Sequence, residues 1–130
     1  MTTPFWCLLV AILLPYVYST LGGYYRVQQF GTLDNKNPRA QAAALTGVGA
    51  RVQAAQQNAW EALPVFSAAV FVAHLAGADP HLSSLAALLF IAARIVHGVV
   101  YVANLDALRS ASFLVGAGAC FWLFGLAATA

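Results

Sequence analysis

Three small groups of polar residues stand inside otherwise apolar sequence, and they are the ones able to do chemistry. Arg94, His97 and Tyr101 are spaced by three and four, so on a helix they stack on one face. Arg94 lies about ten residues from the end of its apolar run, roughly 15 Å deep along a helix axis. An arginine at that depth costs at least about 2.5–3.5 kcal/mol unless it is paired or hydrated. It is therefore either part of a site or half of a structural ion pair, and Glu61 is its natural partner. Arg51, Asn58 and Glu61, spaced by seven and three, fall within about 80° of one another at 100° per residue. They form one stripe facing one neighbour, although a solvated helix face outside a membrane would show the same pattern. Arg109 and Ser110 open the last apolar run, with Phe113 one turn on. A basic residue at a helix start opposes the macrodipole, so Arg109 stands there for another reason, topology signalling or function.

Other chemistries find no footing. No set of His, Cys, Asp and Glu has metal-ligand spacing. There is no nucleophile elbow, no P-loop and no dinucleotide fingerprint. Cys7 and Cys120 sit far apart in apolar surroundings and read as buried, unreactive thiols. His74 is expected in a hydrogen bond between helices and His81 in a turn.

The elements that must position these groups follow from composition. Of 130 residues, 62% are hydrophobic and 8% charged, with a net charge of +2. Mean hydropathy is +0.76. An average soluble domain is roughly 25% charged, so this chain cannot coat a water-facing surface. That excludes an ordinary soluble globule, a disordered chain and a nucleic-acid binder. The expected fold is all-α and integral to the membrane, a bundle of four transmembrane helices in one domain, 1–130. Spans are expected at about 4–22, 60–78, 82–103 and 107–128. The second helix should extend back to about residue 40 and project beyond the bilayer. The first run is read as a retained helix, because no basic segment precedes it and its apolar part is too long for a signal peptide. Gly116, Gly118 and Gly125 permit close helix approach in the last span. Trp6, Trp122 and the Tyr24-Tyr25 pair suit interfacial belts. Arg26, Lys36, Arg39 and Arg51 fall in the first loop region and Arg109 follows the third span. By the positive-inside rule, both termini face away from the cytoplasm.

Taken together, these residues resemble the MAPEG family, the membrane-associated proteins in eicosanoid and glutathione metabolism. The resemblance runs from about Asn37 to Phe113. The second helix carries Arg51-Val-Gln-Ala-Ala-Gln-Gln-Asn58-Ala-Trp-Glu61-Ala-Leu-Pro64-Val-Phe66. The third carries Arg94-Ile-Val-His97-Gly-Val-Val-Tyr101, and the fourth opens with Arg109-Ser110-Ala-Ser-Phe113. The resemblance implies a homotrimer of four-helix subunits with sites at subunit interfaces near the cytoplasmic side, and glutathione as the bound cosubstrate. It implies that Arg51, Asn58 and Glu61 grip the peptide's charged and amide groups. Arg94, His97 and Tyr101 would line the site, and Arg109, with Ser110 beside it, would face the sulfur. The alanine-rich sequence looks most like bacterial members, which implies an inner-membrane location.

The chemistry implied is thiolate stabilisation. A thiol of pKa about 8.5 is only a few per cent thiolate at pH 7. A guanidinium about 4 Å from the sulfur is worth on the order of 4 kcal/mol at an effective dielectric of 20. Arginine suits the task because it stays charged in a partly buried site. A lipophilic electrophile would reach the thiolate from the lipid. Two positions depart from the family pattern. Gln57 sits where the characterised eicosanoid enzymes carry a further arginine, and Phe113 where several carry a tyrosine. The expected function is a glutathione-dependent transferase or peroxidase-like enzyme. Two alternatives are a non-catalytic trimeric membrane protein that binds a thiol or lipid, and a small four-helix drug/proton exchanger. The exchanger would need a carboxylate in the first span, and that span has none.

Overall fold

The computed structural model describes residues 1–130 and contains five helices. These are α1 (Thr3–Phe30), α2 (Pro38–Ala43), α3 (Gly47–Leu75), α4 (Pro80–Val102) and α5 (Asp106–Ala128). Four are long and pack into one bundle, with α4 against α5 and α1 against α3 as the most extensive pairs. Three of them, α1, α4 and α5, are long and apolar enough to cross a membrane. The polar stretch Gln53 to Glu61 keeps α3 out of that set.

Two boundaries differ from those expected. The first helix runs past residue 22 to Phe30. A helix-interior glycine costs only about 1 kcal/mol relative to alanine, so Gly22-Gly23 does not stop it. Gly31 stops it, in the left-handed region at φ 79°, with its N–H donating to the Val27 carbonyl at 2.9 Å. The second helical segment is not continuous from about residue 40. The chain breaks between Ala43 and Gly47, where Gly47 takes φ 58°. Gln29 of α1 holds this break. Its amide nitrogen donates to the Ala44 carbonyl (3.2 Å), and its Oε1 accepts from the Thr46 N–H (3.0 Å). Gln41 does the same for the preceding loop, donating to the Thr32 carbonyl and accepting from the Asp34 N–H.

The remaining connections are short. Gly77 (φ 76°) turns the chain after α3, and Asp79 caps α4 by accepting from the Leu82 N–H at 2.8 Å. Between α4 and α5, Asn104 sits at φ 62° and the Leu105 N–H closes back to the Val100 carbonyl.

The core has two apolar zones. The larger is built on Phe66 and Phe90, whose rings stack at 3.8 Å, with Leu8, Val70, Ile91 and Leu123 around them. The smaller joins Tyr18, Val52, Ala55 and Ala59. A Cβ at Gly98 would coincide with the Tyr18 hydroxyl, so only glycine lets α4 approach α1 here. Arg94 and His97 of α4 lie on its buried face close to this approach.

Candidate functional site

Arg94 is the most demanding group in the bundle, being 5% exposed on the inner face of α4. Its Nη2 donates to Asn58 Oδ1 at 2.6 Å. The Arg94–Glu61 ion pair that the sequence allows is not the bond formed: Glu61 is exposed, at the rim of the cavity that Arg94 also lines. Asn58 sits one turn before Glu61 on α3, and its neutral amide takes the bond instead. The guanidinium charge is therefore solvated by a dipole and not cancelled by a carboxylate. A buried cation left in that state favours an anionic partner, because an uncompensated buried charge costs several kcal/mol.

The cavity beside Arg94 measures about 270 Å³. Asn58, Glu61 and Arg94 line its polar side; Phe90, Phe113 and Cys120 are among its apolar walls. A second cavity of about 390 Å³ adjoins it and is lined by Asn58, His97, Tyr101, Arg109, Ser110 and Phe113, among others. Asn58 and Phe113 belong to both.

In the second cavity the groups hold one another in place. The Arg109 guanidinium lies over the Tyr101 ring, 4.7 Å from its centroid. Such a cation–π contact is worth about 0.5–2 kcal/mol, depending on desolvation. It gives the basic residue at the start of α5 a local reason to be there. His97 meets Tyr101 edge-on at 5.6 Å. His97 Nδ1 lies 3.1 Å from the Arg109 carbonyl oxygen. The Ser112 hydroxyl donates to the same carbonyl at 3.0 Å and lies 3.3 Å from Nδ1. A carbonyl can only accept, so the proton of neutral His97 is assigned to Nδ1. Nε2 is then a bare acceptor, buried and without a protein partner. An acceptor beside two cationic residues suits a ligand carrying both N–H or S–H donors and anionic groups.

Seven of the eight residues singled out from sequence thus share two adjoining cavities: Asn58, Glu61, Arg94, His97, Tyr101, Arg109 and Ser110. Arg51 does not join them. Its Nε donates to the Val102 carbonyl at 2.9 Å, satisfying an end carbonyl of α4. Arg51 shares the angular stripe of Asn58, but two turns separate them along α3. Gln57 lines neither cavity. It lines a separate groove of about 680 Å³ between α1, α2 and α3, together with Arg26, Arg39, Gln53 and Trp60. His74 is not hydrogen-bonded between helices as expected; it is exposed and packs edge-on to Phe5 at 5.0 Å.

Sequence reasoning missed Ser112, which is buried and ties His97 to the first turns of α5. Its signal was the spacing of three from Arg109, which places the two on one face. Cys7 and Cys120 are both buried and free, and Cys120 also lines the cavity beside Arg94.

Comparison with curated proteins finds no match to this chain. Comparison with protein families matches residues 3–129, nearly the whole chain, to the MAPEG family. The bundle of apolar helices and the match along its length agree. The chain is an integral membrane protein and belongs to the MAPEG family.

Proposed function

We propose that this protein is a glutathione-dependent membrane enzyme, a transferase or peroxidase-like catalyst acting on lipophilic electrophiles. Family membership supports a glutathione-related transferase or peroxidase-type role at the family level. The observation that carries the finer reading is the pairing of two cavities. Together they offer a charged peptide Asn58, Glu61, Arg94, His97 and Arg109, beside an apolar wall of Phe90 and Cys120. Glutathione has two carboxylates, an ammonium and a thiol. Arg94 and Arg109 would meet its anionic groups, Glu61 its ammonium, and Asn58, His97 and Tyr101 its amide and thiol donors. Arg109 would stabilise the thiolate, with Ser110 donating beside it. The assembly proposed is a homotrimer in a bacterial inner membrane, termini away from the cytoplasm, with all four long helices spanning. The exposed Gln57, Trp60 and Glu61 of α3 support this, since they suit a neighbouring subunit better than lipid.

The test is a thiolate titration. Absorbance near 240 nm is followed against pH for protein with glutathione, in detergent, alongside Arg109→Ala. A bound-thiol pKa at least one unit below 8.5 that rises in the variant supports the reading. An unshifted pKa refutes the role of Arg109. A stable monomer by mass measurement in detergent would refute the interfacial assembly.

One observation favours a second reading, a non-catalytic trimer that binds a thiol or lipid. Phe113 lines both cavities and offers no hydroxyl to a thiolate. Glutathione binding with no shift in its thiol pKa, and no turnover of any electrophile, would favour it.

A further inference from the structure

At the opposite end of the bundle from Arg109 there is another cavity, of about 290 Å³. It is formed where the start of α1, the end of α3, the turn after it and the start of α4 come together, with Leu123 of α5 closing one side. Ser83 lies three turns of α4 before Arg94, about 16 Å along the axis, so this space is separate from the candidate site. Three features define what it can hold. Its walls are Phe5, Val70, Ala73, Ala78 and Leu123, which bind hydrocarbon. No Lys, Arg, Asp or Glu lines it, so a charged ligand would enter unpaired. The nearby Asp79 carboxylate is engaged in capping α4.

The third feature is Ser83. It lines the cavity, is 7% exposed, and its hydroxyl has no hydrogen-bond partner. Its neighbour Ser84 bonds back to the Pro80 carbonyl, as Thr20 does to Tyr16 and Ser67 to Leu63. Ser83 does not, although a buried unpaired hydroxyl costs about 1–3 kcal/mol. His74 supplies a second hydrogen-bonding group at the wall, its ring set edge-on to Phe5. The volume is about twice that of a roughly 150 Å³ cavity that accepts benzene.

We propose that this cavity is a second ligand site, for a small uncharged aromatic alcohol of one or two rings. The ligand hydroxyl pairs with Ser83 Oγ and the His74 imidazole, and the rings lie between Phe5, Val70 and Leu123. The site stands independently of any glutathione chemistry.

The experiment uses the full chain in lipid nanodiscs, with 4-fluorophenol followed by ¹⁹F NMR and empty nanodiscs as reference. Saturable binding of one equivalent per chain is expected, displaced by 2-naphthol. Loss of one hydrogen bond should weaken binding roughly five- to ten-fold in Ser83→Ala. Ser83→Val, which also fills space, should abolish it. Far-UV helicity and the thermal unfolding transition, measured on the same samples, should be unchanged and report that the variants are folded. A titration indistinguishable from empty nanodiscs overturns the proposal. So does equal saturable binding in wild type and Ser83→Ala, which would leave an unspecific apolar void.

Discussion

Removing the Asn58 amide should expose how the buried Arg94 charge is held. The 2.6 Å bond from Arg94 Nη2 to Asn58 Oδ1 is charge-assisted and sits beside a guanidinium only 5% exposed. Hydrogen bonds to charged groups contribute about 1.5–3 kcal/mol. Asn58→Ala also leaves the guanidinium without an acceptor, so the expected loss is about 2–3 kcal/mol. Arg94→Met removes the buried charge and leaves only the neutral, half-buried Asn58 amide without its donor, so it should cost less. The double-mutant cycle should then give a coupling of about 1.5–3 kcal/mol. Glu61→Gln is the control. Because Glu61 is exposed and does not hold Arg94, its change should stay within about 0.5 kcal/mol. The assay is reversible unfolding in mixed micelles, followed by helicity. If Glu61→Gln costs as much as Asn58→Ala, or if the Arg94–Asn58 coupling falls under about 0.5 kcal/mol, the argument fails and Arg94 is held by an ion pair after all.

Further outcomes follow from other contacts. Histidine ¹⁵N NMR should find neutral His97 protonated at Nδ1, and Ser112→Ala should shift that signal while leaving the resonances of His74 and His81 in place; an Nε2–H signal for His97 would refute the assignment. Gly98→Ala drives a methyl into the Tyr18 hydroxyl and should cost about 1–3 kcal/mol in the same unfolding assay, with Tyr18→Phe in the double variant recovering part of it. The Asp34 carboxylate accepts from the Lys36 and Asn37 N–H groups, and the Asn37 bond, then the Lys36 bond, hold its pKa below the ordinary carboxylate value. A depressed folded pKa adds order that is present above the unfolded value and is lost as pH falls through the folded one. The protection of the Lys36 and Asn37 amides, taken relative to their intrinsic exchange rates, should therefore fall at acid pH in wild type, and Asp34→Asn should remove that dependence.

Much of the site was legible because helical spacing is local. Arg94, His97 and Tyr101 had to share a face whatever the tertiary structure, and they do line adjoining cavities. Arg51 is the exception. An angular stripe says nothing of axial distance, and two turns carried Arg51 to the end of α4. The partner of Arg94 was misjudged for a related reason: charge favoured Glu61, but reach favoured Asn58. The break before Gly47 was hidden because the group that stabilises it, Gln29, lies 17 residues earlier in the chain. The α1 extension was hidden because Gly22 and Gly23 resemble a stop, although each costs a helix interior only about 1 kcal/mol. Family membership, in contrast, was readable from three short strings in order, since charged residues in an apolar chain are few and their positions carry most of its information.

The two adjoining cavities share only Asn58 and Phe113 among their lining residues. Asn58 is pinned by Arg94, while Phe113 is 47% exposed, with His97 as its ring neighbour at 6.3 Å. The two cavities thus meet at one fixed amide and one half-exposed phenyl ring. That ring can turn about a single bond without displacing a helix. Side-chain rotation of this kind takes picoseconds to nanoseconds at an exposed position. The shape of the junction between the two spaces is therefore set by a side-chain torsion at Phe113 and not by the packing of the helices.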